Sequence, residues 1–381
     1  MIYDARAIKI LKSLNKRYSL LVLGWNREGN NNQDIEEFKS AYYSNFSDRS
    51  KITIKILKVR APFGKQSLFL YIPMILYFPI FWIWVFINLC MYRTKIVHAC
   101  DLDTVLPGYI YMLIYRKKLV FDVFDRYAMT FIPVRFKRLY GAVNRIEEFF
   151  ARNTDLLIAV GENILSTFKT RPKRTSIITN CSEDYNINVE RTEDDILRLV
   201  YTGPLARGRG LENTVLAIED LENVEFCIYG PLIDNHLLSR IRQASNVMYG
   251  GFLPNEEYYR TIVSADVMVA LYGPEGPLQQ TAYNITVHNK TFEAMMCGIP
   301  IITNVSTDLV REINFGILVE YEDIAKIRKA ITSLRDNPEF RRSLGKNGRK
   351  AFLMKYNWQN VEKELYRVYA DLLSHGKDPS L

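Results

Sequence analysis

The chain has 381 residues, a length that suggests two domains of ordinary size, and its 48% hydrophobic content is enough for a real core in each. A formal net charge of +8 favours something anionic as partner: a phosphate-bearing ligand, an acidic membrane surface or nucleic acid. Five scattered cysteines (Cys90, Cys100, Cys181, Cys227, Cys297) with no C-x-x-C pair speak against a disulfide frame or a zinc site and read as reduced thiols of a cytosolic protein, while four histidines without metal-ligand spacing speak against a catalytic metal.

The first eighteen residues, MIYDARAIKILKSLNKRY, read as an amphipathic helix without the long apolar core of a signal peptide. KITIKILKV then reads as a strand. The segment Gln66–Tyr92 that follows carries no charged side chain and is flanked by Lys65 and Arg93. It exceeds the roughly 20 apolar residues that a membrane crossing needs. Three placements compete: a crossing helix, a core helix, and a helix lying in the membrane interface. KIVHACD, after the segment, also reads as a strand. If the strands on either side share a sheet, a crossing would put them on opposite sides of the membrane. Pro73 and Pro79 interrupt a straight span as well, so the interfacial placement is expected.

Strand and helix patterns alternate from there. KLVFDVFD, DLLIAV and TSIITN read as strands, with helices over Phe136–Asn153 and Glu162–Lys169. That alternation implies a parallel sheet covered by helices. The polar, acidic stretch Cys181–Asp195 reads as an interdomain linker. Beyond it, LRLVYTG, VEFCIYG, VMYGGF, DVMVALY, IPIITN and GILVEY alternate with helices, and three more helices start at Asp323, Pro338 and Trp358. A doubly wound domain of this kind binds ligands at the carboxyl ends of its strands. The expected division is residues 1–185, with the apolar segment 66–92, then 196–357, then a last helix at 358–381.

Four places carry candidate chemistry. In YTGPLARGRG a strand ends at Gly203, a loop carries Arg207 and Arg209, and Gly210 opens a helix. Glycines let backbone approach a ligand, a helix N-terminus favours an anion, and two arginines add charge-assisted donors for a diphosphate. The plainer alternative is a basic, solvated loop. The segment is neither a Walker A loop nor G-x-G-x-x-G. Gly230, in IYG, ends the next strand on the same edge, as a close-approach point or as a turn. In HNKTFEAMMCGIP, Asn289 is expected to cap a helix bearing Lys290 and Glu293 in its first turn, with Glu293 placed to accept ribose hydroxyls. In the N-terminal half, His98, Asp101, Asp122 and Asp125 end strands that could face a cleft between the domains, and Asp103 could equally be a helix cap.

On these residues the sequence resembles the retaining glycosyltransferases of family 4. The resemblance runs through YTGPLARGRGLENTVLAI, VMYGGFLPNEEYYRTIVSADVMVALY, NKTFEAMMCGIPIITN, FGILVEYED and WQNVEKELYRVY, and more loosely through IVHACDLDTVLPG and LVFDVFDRYA. It implies the GT-B fold: α/β, with two Rossmann-like doubly wound domains facing a cleft, and a last helix that crosses back to the first domain. It implies a UDP- or GDP-linked sugar donor, no cofactor and no metal. Arg209 stands where the family has a diphosphate-binding lysine, and Glu293 where it has the ribose-binding glutamate. The catalytic set implied is Arg209, Glu293, Asp125 and His98. The donor set is Gly203, Arg207, Arg209, Gly230, Asn289, Lys290 and Glu293. The acceptor side is His98, Asp101 and Asp125. With the apolar segment, the acceptor is expected to be lipid-linked and the protein cytoplasmic, peripheral or monotopic on the inner face of a membrane. Three positions depart from the family: Ile285 stands in place of a glutamate, Phe124 in place of a histidine, and no strand precedes the first helix, which points to a truncated start. A non-catalytic nucleotide-sugar-binding relative and a GT-B epimerase are the alternatives. Nucleic acid is disfavoured because no aromatic-basic stripe occurs.

Overall fold

A computed structural model of the chain describes residues 5–27, 46, 48–61, 76–133, 135–170, 172, 174–186, 195–274 and 288–374. Backbone contacts separate two units. The first comprises Met1–Ala128, Lys137–Ile178 and Glu362–Leu381, and the second Met129–Phe136 and Thr179–Val361.

The first unit opens with α1 (Ala5–Asn15), β1 (Leu20–Asn26) and β2 (Ile52–Lys58). It continues with α2 (Phe78–Tyr92), β3 (Ile96–Cys100), α3 (Leu102–Tyr115), β4 (Lys118–Val123) and α4 (Tyr127–Phe131), the last of which runs on into the second unit. Then come α5 (Lys137–Asn153), β5 (Leu156–Ala159), α6 (Glu162–Ser166) and β6 (Thr175–Ile177). All pairings are parallel. The strands form two ladders, β1-β2 and β3-β4-β5-β6. β2 and β3, which flank the apolar segment, therefore lie in different ladders. They still share one core: Val97 of β3 belongs to a buried apolar cluster against which Leu57 of β2 packs. β4 shows the two-residue period of a sheet strand, with Leu119, Phe121 and Val123 entering that core and Asp122 on the opposite face.

Residues 66–75 of the apolar segment lie outside the described residues. The remainder forms α2, which is apolar all round. Phe78, Phe81, Val85 and Leu89 recur at helical spacing and are buried, with Trp25 stacked on Phe81. At about 1.5 Å per residue, its 15 residues reach roughly 22 Å, short of the roughly 30 Å hydrocarbon core. Among the described residues, no helix is long and apolar enough to cross a membrane.

A buried ion pair ties α1 to the strand ends. Arg6 Nη2 lies 2.7 Å from Asp122 Oδ1, both side chains being sealed from solvent, and its other terminal nitrogen donates to the Ile178 carbonyl. Burial opposes the Asp122 carboxylate, but the Arg6 charge and the His98 hydrogen bond outweigh it and hold its pKa below the usual range.

The second unit contains β7 (Leu197–Thr202), α7 (Leu211–Ile218), β8 (Val224–Tyr229), α8 (Asn235–Gln243), β9 (Val247–Tyr249), α9 (Asn255–Ser264) and β10 (Val267–Ala270). It continues through α10 (Asn289–Cys297), β11 (Ile301–Thr303), α11 (Thr307–Ile313), β12 (Gly316–Leu318), α12 (Ile324–Asp336) and α13 (Pro338–Met354). The sheet is parallel, in the order β12-β11-β10-β7-β8-β9. Alternate residues feed two cores. Leu199, Tyr201, Val267 and Val269 meet α7 and α12 on one face, while Val200, Met268 and Ala270 meet Phe292 and Met295 of α10 on the other.

The last helix, α14 (Trp358–Ser374), passes from the second unit into the first at Glu362. Within the first unit, the Tyr366 hydroxyl donates to the Ser13 carbonyl at 2.9 Å, and Ser176 Oγ donates to Glu364 at 2.7 Å.

Asp122→Asn leaves Arg6 buried without its counter-charge and is expected to cost about 3–5 kcal/mol in chemical denaturation. Because the folded pKa is depressed, the aspartate's contribution is complete above the ordinary carboxylate range and is lost as pH falls through the lowered folded value. A cost under about 1 kcal/mol would show that the pair is not a support of this unit.

Candidate functional site

The strand order of the second unit reverses between β7 and β10, and the crevice at such a switch point is where open parallel sheets bind ligands. The sequence places glycines there. Gly203 follows β7 with φ +134°, and Gly230 follows β8 with φ +139°. A Cβ on Gly230 would lie 2.0 Å from the Gly203 carbonyl oxygen, so the two strand ends touch backbone to backbone. The loop from Gly203 then carries Arg207 and Arg209 to Gly210, the N-cap of α7.

Lys290 closes this edge from the first turn of α10. Its ammonium stands 5.0 Å from the centre of the Tyr201 ring and 5.9 Å from that of Tyr272, close enough to Gly203 that a methyl there would sit 2.9 Å away. Burial works against its charge, yet Tyr272, Tyr201 and Glu293 outweigh that and hold its pKa above the ordinary lysine value. Arg209 lies over the same Tyr272 ring at 5.1 Å, and Tyr272 stacks on His288 at 4.2 Å. The buried Nε of Arg209 has no hydrogen-bond partner among the described residues, a costly arrangement that an anionic ligand would relieve.

Glu293 completes the group. Its Oε2 accepts from the Tyr258 hydroxyl at 2.9 Å, and that hydroxyl lies 3.0 Å from Thr202 Oγ1. Burial and then the Glu293 charge push the Tyr258 phenol far above its ordinary pKa, so it remains a donor throughout the working range. One tyrosine therefore fixes the carboxylate against the end of β7.

Two expectations for α10 need correction. His288, extended at φ −79° and ψ 140°, is the N-cap, and Asn289 is already helical. Asn289 uses its side-chain oxygen to accept from Asn180 Nδ2 at 2.9 Å rather than to cap the helix. With the helix starting at Asn289, Glu293 falls in the second turn, beyond the strongest field of the helix end. Arg207 is two-thirds exposed and bonded to Asp234, 2.9 Å away, whereas Arg209 turns inward. Ile285 and the rest of 275–287 lie outside the described residues.

In the first unit, Asp101 and Asp125 follow the carboxyl ends of β3 and β4, whereas His98 lies within β3. Asp101 holds φ +63° and ψ 174°, a region that costs a non-glycine residue about 1–3 kcal/mol and recurs at functional sites. Its Oδ1 accepts from the amides of Phe124 (2.8 Å) and Asp125 (3.3 Å), tying the two strand ends together. Burial, with Asp103 beside it, raises the Asp101 carboxyl well above the usual range. Asp103 does not cap α3; it faces Arg27 at 3.2 Å. His98 is held at both ring nitrogens, by the Tyr369 hydroxyl at 2.6 Å and by Asp122 at 3.1 Å.

Sequence reasoning missed Tyr201, Tyr258, Tyr272 and Thr202, which line the cationic edge, and Arg6 and Tyr369, which surround Asp122 and His98. The available signal was aromatic residues ending β7 and following β10 on the ligand-binding edge.

Residues 209–367, which hold Arg209, Lys290 and Glu293, match the glycosyl transferase-like family model. An uncharacterised glycosyltransferase of Methanocaldococcus jannaschii is 24% identical over 234 residues, covering 55% of this chain and 57% of that protein. The chain thus spans little more than half the length of this curated relative. Among solved structures, Anabaena HepE in complex with UDP superposes with a TM-score of 0.71 at 14% identity, over 97% of this chain and 96% of that one. Sucrose-phosphate synthase from Thermosynechococcus elongatus gives 0.66 at 16% identity, over 93% and 100%. The fold is GT-B.

Gly230→Ala forces a side chain against backbone at positive φ and is expected to cost roughly 2–5 kcal/mol. Gly251→Ala, also at positive φ (+75°) but with open space around it, should cost only about 1 kcal/mol. Thermal unfolding of both variants checks this. Equal losses would mean that the two strand ends are not in contact.

Proposed function

We propose that this protein is a glycosyltransferase that moves a sugar, with retention of configuration, from a UDP- or GDP-linked donor to a lipid-linked acceptor at a membrane surface. One observation carries the donor half of this reading. Lys290, Arg209 and Glu293 stand on one sheet edge, over a floor of two glycines, inside the segment that matches the family model. Two cations with one ring between them suit a diphosphate, and the neighbouring carboxylate suits ribose hydroxyls.

The chemistry follows from the charges. As the sugar's C1–O bond breaks, its electron pair leaves with the diphosphate, and negative charge grows on the phosphate oxygens. Arg209 and Lys290 are fixed before the reaction, so they stabilise that charge without reorganising. The acceptor oxygen bonds to C1 on the face the diphosphate leaves, and its proton passes to the departing phosphate oxygen. His98, Asp101 and Asp125 are assigned to the acceptor side, with His98 and Asp125 in the catalytic set. Asp101 orders the loop that bears Asp125. Gly203 and Gly230 admit the donor, Asn289 shapes the start of α10, and Arg207 adds charge at the mouth of the loop. HepE has been solved with UDP and with UDP-glucose, which supports a uridine donor here. The apolar segment 66–92 supports a lipid-linked acceptor and placement on the inner face of a membrane.

The test is transfer from labelled nucleotide sugars to acceptors in a membrane extract, with the anomeric configuration of the product read by NMR. Label in a lipid-extractable product with retained configuration is expected. Arg209→Ala should lower kcat by roughly 10²–10³ with little change in Tm. Glu293→Ala should raise the donor Kd by about tenfold or more, the worth of a hydrogen bond to a charged group. Nucleotide binding without turnover would instead identify a non-catalytic relative, and donor isomerisation without an acceptor would identify an epimerase.

A further inference from the structure

The apolar surface of the first unit extends well beyond the segment 66–92. Outward-facing Ile80, Ile83, Ile87 and Met91 recur at helical spacing along α2, with Ile83 61% and Met91 66% exposed. α3 packs against α2 through the Phe86–Tyr111 ring contact and leaves Ile110, Leu113 and Ile114 outward, the last two 60% exposed. α5 packs against α3 through Tyr109, whose ring meets Phe149 and Phe150 at 5.5 and 5.4 Å, and it leaves Leu139, Ile146 and Phe149 outward. Three neighbouring helices thus expose apolar stripes, a pattern that marks an interaction surface.

The exposed charged side chains on and next to these helices are cationic. Arg93 and Arg116 follow the ends of α2 and α3, and α5 exposes Lys137, Arg138, Arg145 and Arg152. The carboxylates of these helices are spoken for. Glu147 is buried and accepts from the amides of Tyr127 and Ala128, Glu148 accepts from those of Lys169 and Thr170, and Asp103 faces Arg27. A surface that is apolar at its centre and cationic at its rim, on helices too short to span, complements an anionic bilayer entered only to interfacial depth.

We infer that α2, α3 and α5 together form a platform that docks on an anionic lipid surface, with α3 and α5 contributing independently of the segment 66–92. This deepens the lipid-acceptor reading and rests on it, but the surface is tested without donor, acceptor or turnover. The experiment is co-sedimentation of the full chain with phosphatidylcholine vesicles, with and without phosphatidylglycerol. Sedimentation is expected with the anionic vesicles, and far less with phosphatidylcholine alone.

Two double variants leave 66–92 intact: Leu113→Gln with Ile114→Gln, and Arg145→Glu with Arg152→Glu. Each should weaken partitioning at least tenfold with the Tm unchanged, since all four positions are exposed. If one pair proves unstable, the other still decides. Wild-type binding by both variants would confine docking to 66–92 and overturn the platform. A wild-type chain that ignores both vesicles but dimerises in solution would assign the face to a second copy instead. Failure of sugar transfer alongside intact, variant-sensitive sedimentation would count against the enzymatic reading only.

Discussion

An ammonium held among aromatic rings is the constraint around which the second unit is arranged. Lys290 is partly buried, and burial works against its charge, but two phenol rings and a carboxylate outweigh that and favour the ammonium. Each neighbour is held in turn. Tyr201 donates to the Pro204 carbonyl at 2.9 Å, Tyr272 is clamped between His288 and Arg209, and Glu293 is fixed by Tyr258. The glycines at 203 and 230 are the geometric counterpart, since side chains there would collide with this group or with each other. The parallel sheet brings the pieces together because every strand delivers its carboxyl end to the same edge.

The first unit solves a related problem with different parts. Asp122 is buried behind β4 and is balanced by Arg6 from α1, with His98 completing the group. Asp101 accepts a strained backbone so that its carboxylate can gather the amides that follow β4. Here Asp101 and Asp125 sit just past strand ends while His98 lies within β3, and the supporting contacts come from residues remote in the chain, such as Arg6 and Tyr369.

The fold was legible because its signals are local. Period-two strands alternating with amphipathic helices announce a parallel sheet, and the glycines at 203, 210 and 230 punctuate it where the structure takes positive φ. Arg209, Lys290 and Glu293 were legible as residue types at strand and helix ends. Their environment was not, because Tyr201, Tyr258 and Tyr272 approach from separate strands and helices and share no spacing. The start of α10 misled for a physical reason: asparagine is a good cap, but the extended backbone of His288 takes that role one residue earlier. The apolar run 66–92 was visible at once, whereas its continuation over α3 and α5 depends on helix packing that no linear pattern encodes.

The most direct test of the account is a calorimetric titration of UDP and GDP into the wild-type protein and into Lys290→Met, which keeps the stem of the side chain and removes the charge. The account predicts that the wild-type protein binds at least one of the nucleotides and that the variant loses at least tenfold in affinity for it while remaining folded. Equal affinity in the two proteins, or no binding of either nucleotide by the wild type, would contradict the assignment of this edge to a nucleotide-sugar diphosphate.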